Sequence, residues 1–238
     1  MVVDHRADTH ALLGLRAMRA IDFLLEGSSE PAARATVKFR LANFLGWGTG
    51  ELDDAERACS EAGALFEQAG DRSSALLAAN ELAWIRGLRG DYPAMEAPAT
   101  RVADAAQVSG ETFAAIHAAQ ARGFAALVQG RFREADAVLR SSNEIARQHG
   151  KAYRLTVGLL QLACSLAAQG RVEDARTLVD EAKALNPAWR ESILPEWEAI
   201  VHWFAGGGRV RPGGRERGRR RAEQEAGSRR RLCGPRGC

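Results

Sequence analysis

Apolar residues along this chain recur three and four positions apart, the spacing of one helix face, in segment after segment. Leu155, Leu159, Leu160, Leu162 and Leu166 form one such series, and Ala135, Val138, Leu139 and Ile145 form another. The period-two alternation of a half-buried strand is absent, so the pattern predicts an all-α chain. Ala11 to Glu26 reads as an amphipathic helix with Leu12, Leu15, Ile21, Leu24 and Leu25 as its apolar face. Ile193 to Ala205 reads as another, carrying Trp197, Ile200, Val201, Trp203 and Phe204.

Between these two helices the pattern repeats. Glycines stand at 50, 90, 130 and 170, an even spacing of 40 residues, within GELDDA, GDYPAM, GRFREA and GRVEDA. Two places after each glycine comes Leu52, Tyr92, Phe132 or Val172, and five places after it Ala55, Met95, Ala135 or Ala175. Six places before it stand Phe44, Trp84, Phe124 and Cys164, and seven before it Asn43, Ala83, Gly123 and Ala163. Glycine ends a helix in the left-handed conformation at little steric cost, so each of these glycines predicts the turn of a helical hairpin. The small residues on either side let the two helices of a hairpin approach closely.

The order small residue, turn glycine, aromatic or aliphatic residue, alanine resembles the tetratricopeptide repeat. It covers four units from about Pro31 to Leu185, with a single helix before them and one after. Two features depart from that pattern. The period is 40 rather than about 34 residues, and the proline that closes a repeat occurs only as Pro187. Longer helices of this kind are similar to the repeat regions of MalT-like and other large ATP-binding LuxR-type regulators. The resemblance implies a right-handed solenoid of antiparallel helix-turn-helix units over residues 1–208, whose first helices line a concave groove. Carried over by their offset from each turn glycine, the groove positions are Arg40, Phe44, Trp47, Asn80, Trp84, His117, Gln120 and Phe124. Phe44 and Phe124 serve equally well as core between repeats, and Trp84 less so. Asn80 and Gln120 would supply hydrogen bonds to an extended or helical peptide.

Charge divides the chain. Residues 206–238 carry eleven arginines against Glu216, Glu223 and Glu225, while the net charge of the whole is only +3, so the body is mildly acidic. The stretch 209–238 has almost no apolar residues and no helical period, and is expected to form a disordered tail. Two accounts of it stay open, a segment selected for binding and the product of a shifted reading frame in GC-rich DNA. Its arginine runs at 219–221 and 229–231 offer the only route to nucleic acid, weak and salt-dependent, and no aromatic residue interleaves them for base stacking.

The chain has no phosphate loop, dinucleotide fingerprint, zinc-protease helix or nucleophile elbow. Asp53 with Asp54 and Glu173 with Asp174 follow turn glycines, where carboxylates favour a helix start, and a structural role outweighs a catalytic one. His117 and His149 have no partners at metal-ligand spacing, and Cys233 and Cys238 have no second pair. No catalytic residue, metal or cofactor is therefore expected. Cys59 and Cys164 fall in apolar helical patterns, which suits a reduced, cytoplasmic setting, and no segment is long and apolar enough for a membrane. Two functions fit: a protein-binding scaffold with exposed end faces that leave room for self-association, or a fragment of a LuxR-type regulator lacking its ATPase and helix-turn-helix modules.

Overall fold

The computed structural model describes residues 5–186 and 194–206, and the described residues form ten α-helices and no strand. In order these are α1 (His5–Leu25), α2 (Pro31–Asn43), α3 (Leu52–Gln68), α4 (Arg72–Leu88), α5 (Tyr92–Ser109), α6 (Thr112–Val128), α7 (Phe132–Gln148), α8 (Ala152–Ala168), α9 (Val172–Leu185) and α10 (Leu194–Gly206). A π-helical turn, Phe44–Thr49, continues α2. Each helix from α2 to α9 packs on the next, and α4, α6, α8 and α10 also touch in succession. The result is a solenoid of four hairpins flanked by a helix at each end, as the sequence pattern predicts. The expected tail, 209–238, and Pro187 lie outside the described residues.

The turns explain the architecture. Gly50, Gly70, Gly90, Gly110, Gly130, Gly150 and Gly170 all have positive φ between 62° and 82°. They mark every turn from α2 through α9 at a spacing of 20 residues, half the period found between like turns. The amide after each glycine reaches back over the helix end, as Arg131 N does to Ala126 O at 2.9 Å and Arg171 N to Leu166 O at 2.9 Å. This satisfies carbonyls that a helix end otherwise leaves unpaired. Asp71 and Asp91 cap the next helices by accepting from Ser74 N and Ala94 N, each at 3.0 Å. Asp53 takes an ion pair from Arg89 of the following turn at 2.6 Å, and Arg171 Nε donates to Asp174 at 2.7 Å.

The first turn is one residue longer than the rest. There the closing bond runs from Glu51 N to Leu45 O, six residues back, whereas Asp91 N reaches Arg86 O and Arg131 N reaches Ala126 O, five back. The extra residue is what makes Phe44–Thr49 π-helical. It also shifts the facing of everything before it by one position relative to the other units. Ala42, fully buried, takes the small-residue place of Ala83, Gly123 and Ala163, and Asn43 takes the place of Trp84, Phe124 and Cys164. The alignment of Asn43 and Phe44 with those two columns is corrected accordingly.

The apolar face expected on α1 is also corrected. Leu15 is buried and Met18 packs beside it, but Ile21 and Leu24 are 42% and 76% exposed, next to an exposed Phe23. The helix meets α2 along the row through Leu15, Met18 and Asp22, about 100° from the row through Ile21 and Leu24. Gly14 suits that choice, since a Cβ there would stand a tight 3.3 Å from the Phe44 ring. Lys38 locks it by pairing with Asp22 at 3.1 Å and with Glu61 of α3 at 2.7 Å.

Candidate functional site

The first helix of each hairpin, with α10, contributes to a half-enclosed cavity of about 610 Å³. Its lining is mainly aromatic and aliphatic, with a few polar groups set among them, the usual make-up of a binding site. Trp84 on α4 is 7% exposed and stands at its centre. Its ring lies 5.8 Å from Trp47, 5.4 Å from Phe124 and 6.2 Å from His117, the last nearly parallel at 22°. These separations suit attractive aromatic pairs. Trp197 and Phe204 of α10 close the far side, forty positions after Val157 and Cys164, so the groove register runs on into that helix.

Two charged groups lie on the wall. Glu81 is 4% exposed and accepts a hydrogen bond from Trp47 Nε1 at 2.6 Å. Burial raises its carboxyl above the usual range, opposed by that bond and by the charge of Arg154. Arg154, in the first turn of α8, sets its guanidinium over the ring of Phe113 at 5.0 Å and over that of Tyr153 at 4.7 Å. Burial lowers its pKa, against the pull of Tyr153 and Glu81. Its Nη1 donates to Gln120 Oε1 at 3.4 Å. Burial holds His117 well below its ordinary 6.5, with Arg154's charge acting in the same direction, so the imidazole is neutral at physiological pH.

Four buried polar atoms of the lining have no hydrogen-bond partner among the described residues: Trp84 Nε1, His117 Nδ1, Arg154 Nε and Gln161 Oε1. A buried polar group left unpaired costs about 1–3 kcal/mol. They are four of the eight such atoms among the described residues, the others belonging to Asn80 and Asn143 behind the lining. The chemistry present suits binding. Cys164 is the one thiol in the lining, and burial pushes it up to about 12. Among the described residues no group of three His, Cys, Asp or Glu side chains could hold a metal ion.

The positions taken from the sequence separate into three groups. Trp47, Trp84, His117 and Phe124 share the cavity. Asn80 and Gln120 are fully buried behind it, Gln120 donating to the Arg154 carbonyl at 2.6 Å and Asn80 having no partner for either amide atom. Phe44 packs under α1 and Arg40 is exposed on α2, neither of them lining the cavity, because the long first turn rotates both away from the positions of Trp84 and Asn80. Glu81, Arg154, Gln161, Trp197 and Phe204 were not among the sequence candidates. Glu81 and Gln161 share one signal, a polar residue nine places before the turn glycine, one helical turn from Trp84 and Cys164 on the same face.

No family model matches the sequence, and no curated protein matches it. Similarity is found to solved structures. A Rap protein complexed with Competence and Sporulation Factor superposes with a TM-score of 0.71 at 13% identity, over 85% of this chain and 57% of that one. Aspartyl phosphate phosphatase F from Bacillus subtilis gives 0.68 at 10% identity, over 85% and 55%. BtubC from P. vanneervenii gives 0.57 at 17% identity, over 78% of each chain. The chain thus has the tetratricopeptide-like helical-repeat fold, and spans a little over half the length of the first two neighbours. Neither the family models nor the curated sequences connect it with LuxR-type regulators.

Proposed function

We propose that this protein is a non-catalytic interaction module that holds a segment of a partner protein or a peptide in the concave cavity. The observation that carries this reading is the set of four unpaired buried polar atoms around the aromatic cluster at Trp84. A bound main chain would supply donors and acceptors to them while its side chains occupied the apolar space. The Rap protein similar in fold, solved in complex with Competence and Sporulation Factor, is consistent with such a use of the scaffold. The phosphatase named among the neighbours does not extend to this chain, because 10% identity speaks for fold alone. Nothing observed favours the LuxR-fragment alternative. No helix of the described residues is long and apolar enough to cross a membrane.

Selection of a random dodecapeptide phage library on the full chain tests the reading. Synthetic peptides from the enriched clones should bind, quench tryptophan emission, and lose at least about tenfold in affinity on Trp47→Ala. Trp47 is 54% exposed, so its truncation spares the apolar core and removes only its hydrogen bond to Glu81. Peptides that bind without quenching and are indifferent to Trp47→Ala would place recognition elsewhere on the solenoid.

A further inference from the structure

Helix α1 meets α2 along the row through Leu15, Met18 and Asp22, and the row on its far side runs through Leu13, Ala17, Ala20 and Leu24. All four are exposed, Leu13 at 56% and Leu24 at 76%. Exposed rows of the same spacing on the hairpins carry charge instead: Asp53, Arg57, Ser60 and Ala64 on α3, and Arg133, Ala137, Arg140 and Glu144 on α7. Ile21 and Phe23, 42% and 71% exposed, flank the α1 row on its two sides. At roughly 200 Å² for a large apolar residue, the four large side chains leave about 500 Å² of apolar surface open on one helix. Two such patches laid together would bury about 1,000 Å², the area at which specific interfaces begin.

The row advances by four, three and four residues, the spacing of a coiled-coil seam. Read from either end, it is Leu, Ala, Ala, Leu. A two-fold axis midway between Ala17 and Ala20 therefore makes the row its own complement. A second copy of α1 then lies antiparallel, with Leu13 of one chain against Leu24 of the other and Ala17 against Ala20. The alanines allow the helix axes to approach, and the leucines close the seam at both ends. On one flank Arg16 of each copy comes within reach of Phe23 of the other, where a guanidinium over an aromatic face is attractive. A helix that lies on a membrane surface would carry a polar side rich in lysine and arginine. The polar side of α1 includes Asp22 and Glu26, and its Arg19 is engaged by Glu51 at 2.8 Å.

We propose that this protein forms a two-fold dimer through α1, the outward row of one copy packed antiparallel on the same row of a second. The interface uses one patch on both chains and lies apart from the residues that line the concave cavity, so a dimer presents two cavities.

Sedimentation equilibrium of the full chain, loaded at about 1 to 100 µM, should show monomer in exchange with dimer. Leu13→Lys and Leu24→Glu, each alone, should weaken dimerisation at least about a hundredfold. Both side chains are exposed, so the helical circular dichroism should not change. Mixing the two variants should restore the dimer. Antiparallel packing sets the new lysine of one chain against the new glutamate of the other and leaves the second Leu13–Leu24 contact whole. A chain that stays monomeric over this range overturns the inference, and so does a dimer that survives both substitutions. A dimer broken by each substitution and not restored by mixing overturns the antiparallel pairing. Monomeric chain that floats with vesicles of mixed neutral and anionic lipid, and ceases to on Leu24→Glu, would give the row to a membrane instead.

Discussion

The first hairpin and the third are built to one plan and present different faces to the groove. In the third, the residue six places before the turn glycine is Phe124, which lies in the cavity against Trp84. In the first, the corresponding residue is Phe44, also aromatic, yet it is packed under α1 while Asn43 reaches the cavity instead. The single difference is the length of the turn, closed from Glu51 N to Leu45 O rather than over one residue fewer. A glycine at a fixed interval fixes where the chain turns. It does not fix which side of the preceding helix faces inward, because each residue in the turn rotates that helix by about 100°.

Deletions give the largest effects on this comparison. Removing Thr49 shortens the first turn to the common length and should leave Ala42, Asn43 and Trp47 facing as they do now, at a cost of about 1 kcal/mol or less. Removing Arg89 from the matching turn of α4 should swing Trp84 and Glu81 off the cavity and Ile85 out of the core, destabilising the fold by about 3–5 kcal/mol. Thermal unfolding followed by circular dichroism measures both, and equal losses would mean that the π turn is not a register shift.

Glycines facing the second helix of each unit sharpen the contrast at intermediate size. A Cβ on Gly123 would stand 2.6 Å from Leu139 Cγ, so Gly123→Ala should cost about 1–3 kcal/mol through overpacking. A Cβ on Gly46 would meet nothing closer than 3.6 Å, so Gly46→Ala should be neutral or gain up to about 1 kcal/mol from reduced chain freedom. Urea midpoints of the two variants distinguish tight from open packing directly.

The smallest effect is in pH, and it separates the third unit's His117 from the second's Glu81. His117 stays neutral when folded but takes a proton near 6.5 when unfolded, so the unfolded chain binds more protons below that value and stability falls as pH drops through it. Glu81 acts with the opposite sign. Its raised folded pKa means that the folded chain holds the proton longer, so stability is lost as pH rises above 4.5. His117→Phe should flatten the loss of melting temperature between pH 7 and 5, and Glu81→Gln should raise the melting temperature at neutral pH, each by a few degrees. A melting curve unchanged in pH response by either substitution would mean that these groups are not desolvated as described.

Much of the fold was legible from residue types alone. The series at 50, 90, 130 and 170 gave the hairpins, and the matching series at 70, 110 and 150 was present in the same letters to mark the return turns. Half of the groove candidates, Trp47, Trp84, His117 and Phe124, share the cavity because three of them lie in units of ordinary turn length and Trp47 lies within the long turn itself. Arg154 escaped notice for a different reason. It stands sixteen places before its turn glycine, where the other units of the same turn length have Ser74 and Ala114, so no column of like residues marked it. Its role depends on Phe113, Tyr153 and Gln120, which only packing brings around it.

The sequence by itself determined the helices, their order and the places where the chain reverses, since these follow from local periodicity and from the left-handed backbone that glycine adopts freely. Tertiary structure decided which face of α1 is covered, which residues of α2 look into the groove, and which polar side chains lose their water. Those outcomes depend on rotation and close approach between helices, set by contacts such as Gly14 with Phe44 and Lys38 with Asp22 and Glu61, between residues far apart along the chain.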